Sequence, residues 1–205
     1  MINVLLAEDQ SMVRGALAAL LNMEENIRVV AQVEDGKAAL EYLNRTHSET
    51  DAIDIVLTDI EMPNITGIEL AEVLAEKFPE LRTVIVTTFG RAGYIRRALA
   101  AGVYGFILKD APSEILAEVL YKAMAGKKTI DPELAIAALD DKDPLSDKER
   151  KALRLAGSGK KTAEIANDLC LSEGTVRNYL SEAISKLNAT NRIDAARIAR
   201  QKGWL

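Results

Sequence analysis

The sequence predicts a doubly wound parallel α/β unit followed by a smaller all-α unit, and three observations carry that prediction. Across residues 2–125, short β-branched runs alternate five times with amphipathic helical stretches. Parallel neighbours need a crossover connection, almost always right-handed, so this alternation calls for a parallel sheet with helices on both faces. From Ser146 onward the pattern is helical throughout, each stretch broken by Gly, Ser or Asn. Between the two, residues 127–144 lose the alternation, and the run Leu139-Asp140-Asp141-Lys142-Asp143-Pro144 is charged and ends in proline, as a solvated linker does. A chain of 205 residues suits one medium and one small domain. The expected spans are 1–126, a linker at 127–144, and 145–205.

Taken in order, the expected strands are 2–7, 27–33, 53–59, 83–87 and 105–108, each a short aliphatic run. Helical spacing of apolar residues falls between them at 11–22, 36–45, 67–77 and 92–101, with a fifth helix at 113–125. Ser113 follows Pro112 and is expected to cap that fifth helix, with Glu114 favouring its positive end. Gly126 closes it, ahead of Lys127 and Lys128. A short helix is expected at 132–139. Ser146 and Glu149 have the spacing of a capping box. Helices then follow at 147–156, 162–169, 173–187 and 192–202.

Composition narrows the class further. Hydrophobic residues make up 48% and aromatics only 4%, so the cores must be aliphatic. No apolar run approaches the roughly 20 residues of a membrane span, and Glu8 and Asp9 interrupt the first apolar segment where a signal peptide would continue. The expected location is the cytoplasm. Cys170 is the only cysteine, which excludes an internal disulfide and a cysteine-based zinc site. It is expected to pack as a small apolar residue within a helical pair. The net charge of −5 is unevenly spread: residues 146–205 hold 12 Lys and Arg against 7 Asp and Glu, the remainder 14 against 24. A basic tail points to nucleic acid, with ordinary surface charge as the alternative.

The chemistry begins with Glu8, Asp9 and Asp59, which directly follow or close aliphatic runs. In neighbouring parallel strands they would meet at the carboxyl edge of the sheet, where open α/β folds bind ligands. Two unit charges about 4 Å apart repel by about 4 kcal/mol at an effective dielectric near 20. Such a cluster therefore implies a divalent cation, of which magnesium is the usual hard example, or raised pKa values. The alternative is three solvated acids at strand ends. Thr87 ends the fourth run and Lys109 follows the fifth, placing a hydroxyl and an ammonium on the same edge, suited to a phosphoryl group on Asp59.

Glu8-Asp9, Asp59-Ile60-Glu61-Met62-Pro63, Gly67, Thr87 and Leu108-Lys109-Asp110, in this order over about 120 residues, resemble the receiver domain of two-component response regulators. The resemblance implies a flavodoxin-like (βα)5 receiver in which Asp59 accepts a phosphoryl group from a sensor histidine kinase. It makes Glu8, Asp9 and Asp59 magnesium ligands, with the Glu61 backbone carbonyl completing the site. Thr87 and Lys109 become the groups that engage the phosphoryl group, and Thr87 and Phe106 the switch pair. Glu at position 8, where Asp is usual, lengthens one arm of the metal site; Phe106 lacks the hydroxyl of the Tyr often found there. His47, the only histidine, is read as solvated and unrelated to phosphotransfer. Phosphorylation adds charge and strong acceptors, and the implied output is a homodimer through the helices at 11–22 and 113–125. Two readings compete: an aspartyl-phosphate hydrolase, which would carry a second Asp where Glu61 stands, and a phosphate-independent regulator. A regulator rather than an enzyme is expected.

In residues 162–177 two helical patterns flank a very short turn, which suggests a helix-turn-helix, with a helical hairpin serving only for dimerisation as the alternative. Val176, Leu180, Ile184 and Leu187 fall on one face as a core stripe. Arg177, Asn178, Ser181 and Ser185 fall on the adjoining face, suited to base edges. Lys160, Lys161, Thr175 and Lys186 are placed for phosphates. Leu145-Ser146-Asp147-Lys148-Glu149-Arg150, Glu164-Ile165-Ala166, Leu171-Ser172, Thr175-Val176-Arg177 and Lys186-Leu187 resemble the four-helix DNA-binding domain of the NarL/FixJ, or LuxR-type, group. The resemblance implies a promoter-DNA partner, base readers Arg177, Asn178 and Ser181, and a dimer contact from Ala195, Ala196 and Ala199 on the last helix. Ala163 and Tyr179 stand where a basic residue and His are frequent, which shifts backbone affinity toward Lys160 and Lys161. Thr87-Thr88-Phe89, Gly93-Tyr94 and Lys202-Gly203-Trp204 look most like the DesR-type subgroup. Trp204 is expected to anchor the terminal helix rather than to touch a ligand.

Overall fold

A computed structural model describes residues 1–46, 53–88, 90–130, 135–136 and 143–205. They form two compact units. In the first, β1 (Ile2–Ala7), β2 (Ile27–Val33), β3 (Ile55–Thr58), β4 (Arg82–Thr87) and β5 (Gly105–Leu108) alternate with α1 (Ser11–Asn22), α2 (Gly36–Thr46), α3 (Gly67–Lys77), α4 (Ala92–Ala100) and α5 (Ser113–Met124). All pairings are parallel, in the order 2-1-3-4-5.

The strand period of two divides the core. Val4 and Leu6 pack with Ile55, Leu57, Leu21 of α1 and Leu120 of α5. Leu5 and Ala7 point the other way, onto Val56, Leu43 of α2 and Leu70 and Leu74 of α3. Burial on both faces is why these strands read as continuous apolar runs rather than alternating ones. Each fully buried Leu contributes about 1.5–3 kcal/mol.

Two local features differ from expectation. A sixth strand, β6 (Thr129–Ile130), pairs in parallel with β5 and lies within the stretch read as linker. Two residues are too few to carry a periodic signal. Ser113 does not cap α5; it is the first helical residue, and Pro112, in extended conformation, precedes it as the N-cap. The expected helix at 132–139 falls largely outside the described residues, as do His47 and Phe89. The C-terminal end of α5 follows the sequence reading: Gly126, at φ 73°, donates to Ala123 O, and Lys127 N–H donates to Lys122 O. This is a Schellman termination.

The second unit comprises α6 (Asp147–Gly157), α7 (Thr162–Asp168), α8 (Glu173–Lys186) and α9 (Arg192–Lys202). Ser146 and Glu149 form the anticipated capping box. The core joins Leu153 and Ala156 of α6, Ile165 of α7, Val176, Leu180 and Ala183 of α8, and Ala195, Ala196 and Ala199 of α9, closed by Leu187 and Trp204. Two expectations are corrected here. The alanine face of α9 is not a dimer surface, because all three side chains are buried in their own unit. Small residues are what allow α9 to approach α6 closely: a Cβ on Gly157 would lie 2.8 Å from the Ala196 methyl. Cys170 is exposed rather than packed. It ends α7 in the left-handed conformation at φ 54°, and the flanking Leu169 and Leu171 pack against the core instead.

Candidate metal centre and nucleic-acid interface

Ala7 pairs with Thr58, Thr58 with Ile85, and Thr87 with Leu108, so β1, β3, β4 and β5 end along one edge. Glu8, Asp59, Thr87 and Lys109 emerge there together. One carboxylate oxygen from each of Glu8, Asp9 and Asp59 lies within 4.8 Å of the others. Glu8 is fully buried, Asp59 is 4% exposed, and Asp9 is open to solvent. Lys109 Nζ sits 2.7 Å from Glu8 Oε2 and 2.9 Å from Asp59 Oδ2. One ammonium thus sits between two buried carboxylates.

The electrostatic consequence is mutual. Burial pushes the Glu8 carboxyl above its usual range and the charge of Asp59 adds to this, while Lys109 opposes both. For Lys109, burial by itself favours the neutral amine, but contact with Glu8 and Asp59 outweighs it and the net shift is upward. Three carboxylates against one ammonium leave a surplus of negative charge on an all-oxygen donor set. Those donors fit a hard divalent cation.

Backbone contacts fix the acids. Asp59 N–H donates to Ala7 O at 3.0 Å, and Asp59 Oδ1 accepts from Ile60 N–H at 2.7 Å. Glu8 N–H donates to Val33 O at 3.1 Å, and Glu8 Oε1 accepts from Gln10 N–H at 3.2 Å. Gly67 is required by close approach: a Cβ there would fall 1.8 Å from the Asp59 carbonyl oxygen. Thr87 is buried at the end of β4. The Phe106 ring is also buried, on a residue paired with Ile85 on one side and Ile130 of β6 on the other.

Sequence reasoning missed several supporting side chains. Arg14, on the first turns of α1, donates from Nη1 to the carbonyls of both Glu8 and Asp9. Its place five residues beyond Asp9 was the only available signal. Asp35 caps α2 through Ala38 N–H at 2.7 Å and also accepts from the Asn64 side chain, tying down the segment after Asp59. Asn64 itself is left-handed at φ 60°, which Asn tolerates. The buried Tyr94 donates its hydroxyl to Glu61 Oε1 at 2.8 Å.

In the second unit, α7 and α8 are joined by the short turn at 169–172. Ser172 caps α8, its Oγ accepting from Thr175 N–H at 3.1 Å and lying 2.9 Å from the Thr175 hydroxyl. Val176, Leu180, Ala183 and Leu187 are buried and Ile184 half-buried, which leaves Arg177, Asn178, Ser181 and Ser185 on the exposed side. Lys161 is exposed and Lys160 half-buried. Lys186 is engaged within the unit: its Nζ is 2.8 Å from both oxygens of Glu149. Arg150, nearly buried, pairs with Asp143 at 2.5 Å and Asp147 at 2.6 Å, and fixes the entry into α6. No described helix is long and apolar enough to cross a membrane.

Residues 4–121 match the response regulator receiver domain family, and residues 143–199 match the LuxR family of bacterial regulatory proteins. Two proteins of Bacillus subtilis (strain 168) align along the full length. The uncharacterized transcriptional regulatory protein YvfU is 44% identical over the whole of both chains, and the transcriptional regulatory protein DesR is 43% identical over 100% of this chain and 99% of its own. Among solved structures, RcsB from Salmonella enterica serovar Typhimurium, bound to promoter rprA in the presence of phosphomimetic BeF3-, is 27% identical. It covers 98% of this chain and 99% of that one, at a TM-score of 0.74. The chain therefore belongs to the response regulators, with a receiver domain followed by a LuxR-type DNA-binding domain.

Proposed function

We propose that Asp59 is the phosphoacceptor and that a sensor histidine kinase supplies the phosphoryl group. The observation that carries this reading is the position of Asp59: nearly buried, anchored by its neighbour's N–H, and 2.9 Å from the only ammonium at the sheet edge among the described residues. A carboxylate oxygen of Asp59 attacks phosphorus, the phosphorus–nitrogen bond of a phosphohistidine breaks, and the departing imidazole retains the electron pair and is protonated. Glu8, Asp9 and Asp59, with the Glu61 carbonyl, would hold magnesium, which when bound neutralises phosphoryl oxygens. Lys109 moves from the carboxylates to the new phosphoryl oxygens, and Thr87 adds its hydroxyl to them. Phe106 is the ring whose packing follows Thr87.

The same proposal extends to output. α1 exposes Met12 and Leu20, and α5 exposes Ile115 and Tyr121; a second copy covers this surface when Asp59 is phosphorylated. On promoter DNA, Arg177, Asn178 and Ser181 read bases in the major groove. Lys160, Lys161 and Thr175 meet phosphates, and Lys186 contributes through its positive charge while it holds α8 to α6. Residues 1–126 act as the receiver, 127–144 as the connection and 145–205 as the DNA-binding domain, and the protein works as a regulator rather than as an enzyme in the cytoplasm.

Incubation with a small phosphodonor and magnesium, followed by intact-mass measurement, tests the first step. One phosphoryl group is expected on the wild type and none on Asp59→Asn; phosphoryl mass on the variant would refute the assignment. Rapid turnover of the donor by the wild type would favour a hydrolase instead. Beryllofluoride with magnesium should convert the protein from monomer to dimer in light scattering, and an unchanged monomer would exclude the output step.

A further inference from the structure

Lys160, Arg177 and Lys186 each end against a carboxylate of their own domain: Asp168 at 2.5 Å, Glu173 at 2.8 Å and Glu149 at 2.8 Å. The last pair ties two helices together, and Glu149 is also part of a helix cap. The first two pairs are different. Their side chains are 43% and 39% exposed in one case and 66% and 48% in the other. Exposed pairs of this kind contribute about 0–1 kcal/mol to stability, so the fold does not depend on them. They do stand at informative places. Asp168 is the last residue of α7 and Glu173 the first of α8, on either side of the turn that presents the recognition helix.

We propose that Asp168 and Glu173 are specificity-determining residues: they hold the DNA-facing cations Lys160 and Arg177 in internal pairs, so that a phosphate backbone alone competes poorly for them. This rests on the DNA face assigned above. Binding to the backbone is driven by release of counterions, one for roughly each phosphate that a free cation neutralises. A cation already neutralised by a carboxylate releases fewer, and the displaced carboxylate is then left beside a polyanion. A base edge offers Arg177 a different exchange. Two directional hydrogen bonds to guanine contribute about 1–3 kcal/mol, more than the exposed ion pair they replace. The acids thus weaken binding to arbitrary sequence more than binding to a matched site.

The test uses the full-length protein with magnesium and beryllofluoride, titrated with a random-sequence 30-base-pair duplex over a salt series. The variant Asp168→Asn/Glu173→Gln should bind that duplex about tenfold more tightly than wild type, with a salt slope steeper by about one to two units. Glu182→Gln provides the charge control. It removes one negative charge from the same helix, but five residues beyond Arg177, at 100° per residue, it lies 140° round the axis from that guanidinium and cannot pair with it. Its effect should stay below about twofold on the same principle. Unchanged random-duplex binding in the double variant, or an equal gain from Glu182→Gln, would overturn the inference. Arg177→Ala, assayed on a duplex that the wild type selects from a random pool, separates the two levels. If it has no effect there, the DNA face itself is misassigned. If it weakens that binding while the acid variants behave as wild type, only the present inference falls.

Discussion

Lys109 in the receiver domain and Arg177 in the DNA-binding domain are both cations held within 3 Å of a carboxylate, at 2.9 Å from Asp59 and 2.8 Å from Glu173. Lys109 is 13% exposed and lies between acids that are almost fully buried, whereas Arg177 is 66% exposed. Burial decides what each pair is for. Removing one partner from a buried pair strands a charge in a poorly polarisable site, which costs several kcal/mol. Removing one partner from an exposed pair hands the other to water. The receiver site is therefore a small, strongly coupled device in which each residue matters to all the others. The proposed DNA face is an assembly of weak terms, each adjustable alone.

The largest test of this contrast is Lys109→Ala. It should destabilise the receiver domain by about 3 kcal/mol in the absence of divalent cation, measured by amide hydrogen exchange of β1 and β3, and magnesium should restore much of the loss. A negligible effect would make the buried site as forgiving as the exposed one. Gly67→Ala follows. Its methyl group must displace the Asp59 carbonyl or the start of α3, at a cost of about 2 kcal/mol, and phosphoryl uptake should fall with it in the intact-mass assay.

Two intermediate effects concern the DNA-binding domain. Glu149 is a carboxyl for which burial would raise the pKa, but Lys186 and the Ser146 cap outweigh burial and lower it. A depressed folded-state value means stability that is complete above the ordinary Glu range and lost as pH falls through the lowered value. Unfolding of this domain followed between about pH 6 and 3 should show that loss, relative to the unfolded Glu value of about 4.3, and Glu149→Gln should blunt it. Cys170→Gly removes a left-handed β-carbon. It should stabilise the domain by up to about 1 kcal/mol, because the added freedom of the unfolded chain offsets part of the gain. The smallest effect is that of Lys161→Ala, which should flatten the salt dependence of DNA binding by about one unit without changing which sequence is preferred.

The receiver was legible because its logic is local and repetitive. Five apolar runs separated by helical spacing allow few topologies, and residues placed directly after such runs must share an edge. Glu8, Asp9, Asp59, Thr87 and Lys109 were found that way. What escaped notice depends on reach. Arg14 returns from a helix to two carbonyls, Asp35 meets Asn64 across 29 residues, and Tyr94 reaches Glu61 across 33. None of these leaves a periodic trace. The helical tail showed the reverse difficulty, since its stripes were visible but their partners were not. Ala195, Ala196 and Ala199 were correctly placed on one face and assigned the wrong neighbour, because a row of small residues suits a close helix inside the domain as well as one outside it. Cys170 was judged by its type, and the left-handed turn that ends α7 overrode that type.

The ends of the recognition helix carry a further consequence. At one end Ser172 accepts the Thr175 N–H; at the other Asn188, left-handed at φ 49°, donates to Ser185 O while Ala189 N–H donates to Ile184 O. Both termini are bolted, so absorbing a length change by fraying would cost α8 one of these caps. An extra residue inserted near its middle would turn every later side chain by 100°, swinging Ala183 out of the core and a polar neighbour into it. With α8 as the proposed reading helix, descendants of this protein are expected to explore new operators by exchanging side chains on a helix of fixed length, with insertions and deletions confined to the segments outside those two bolts.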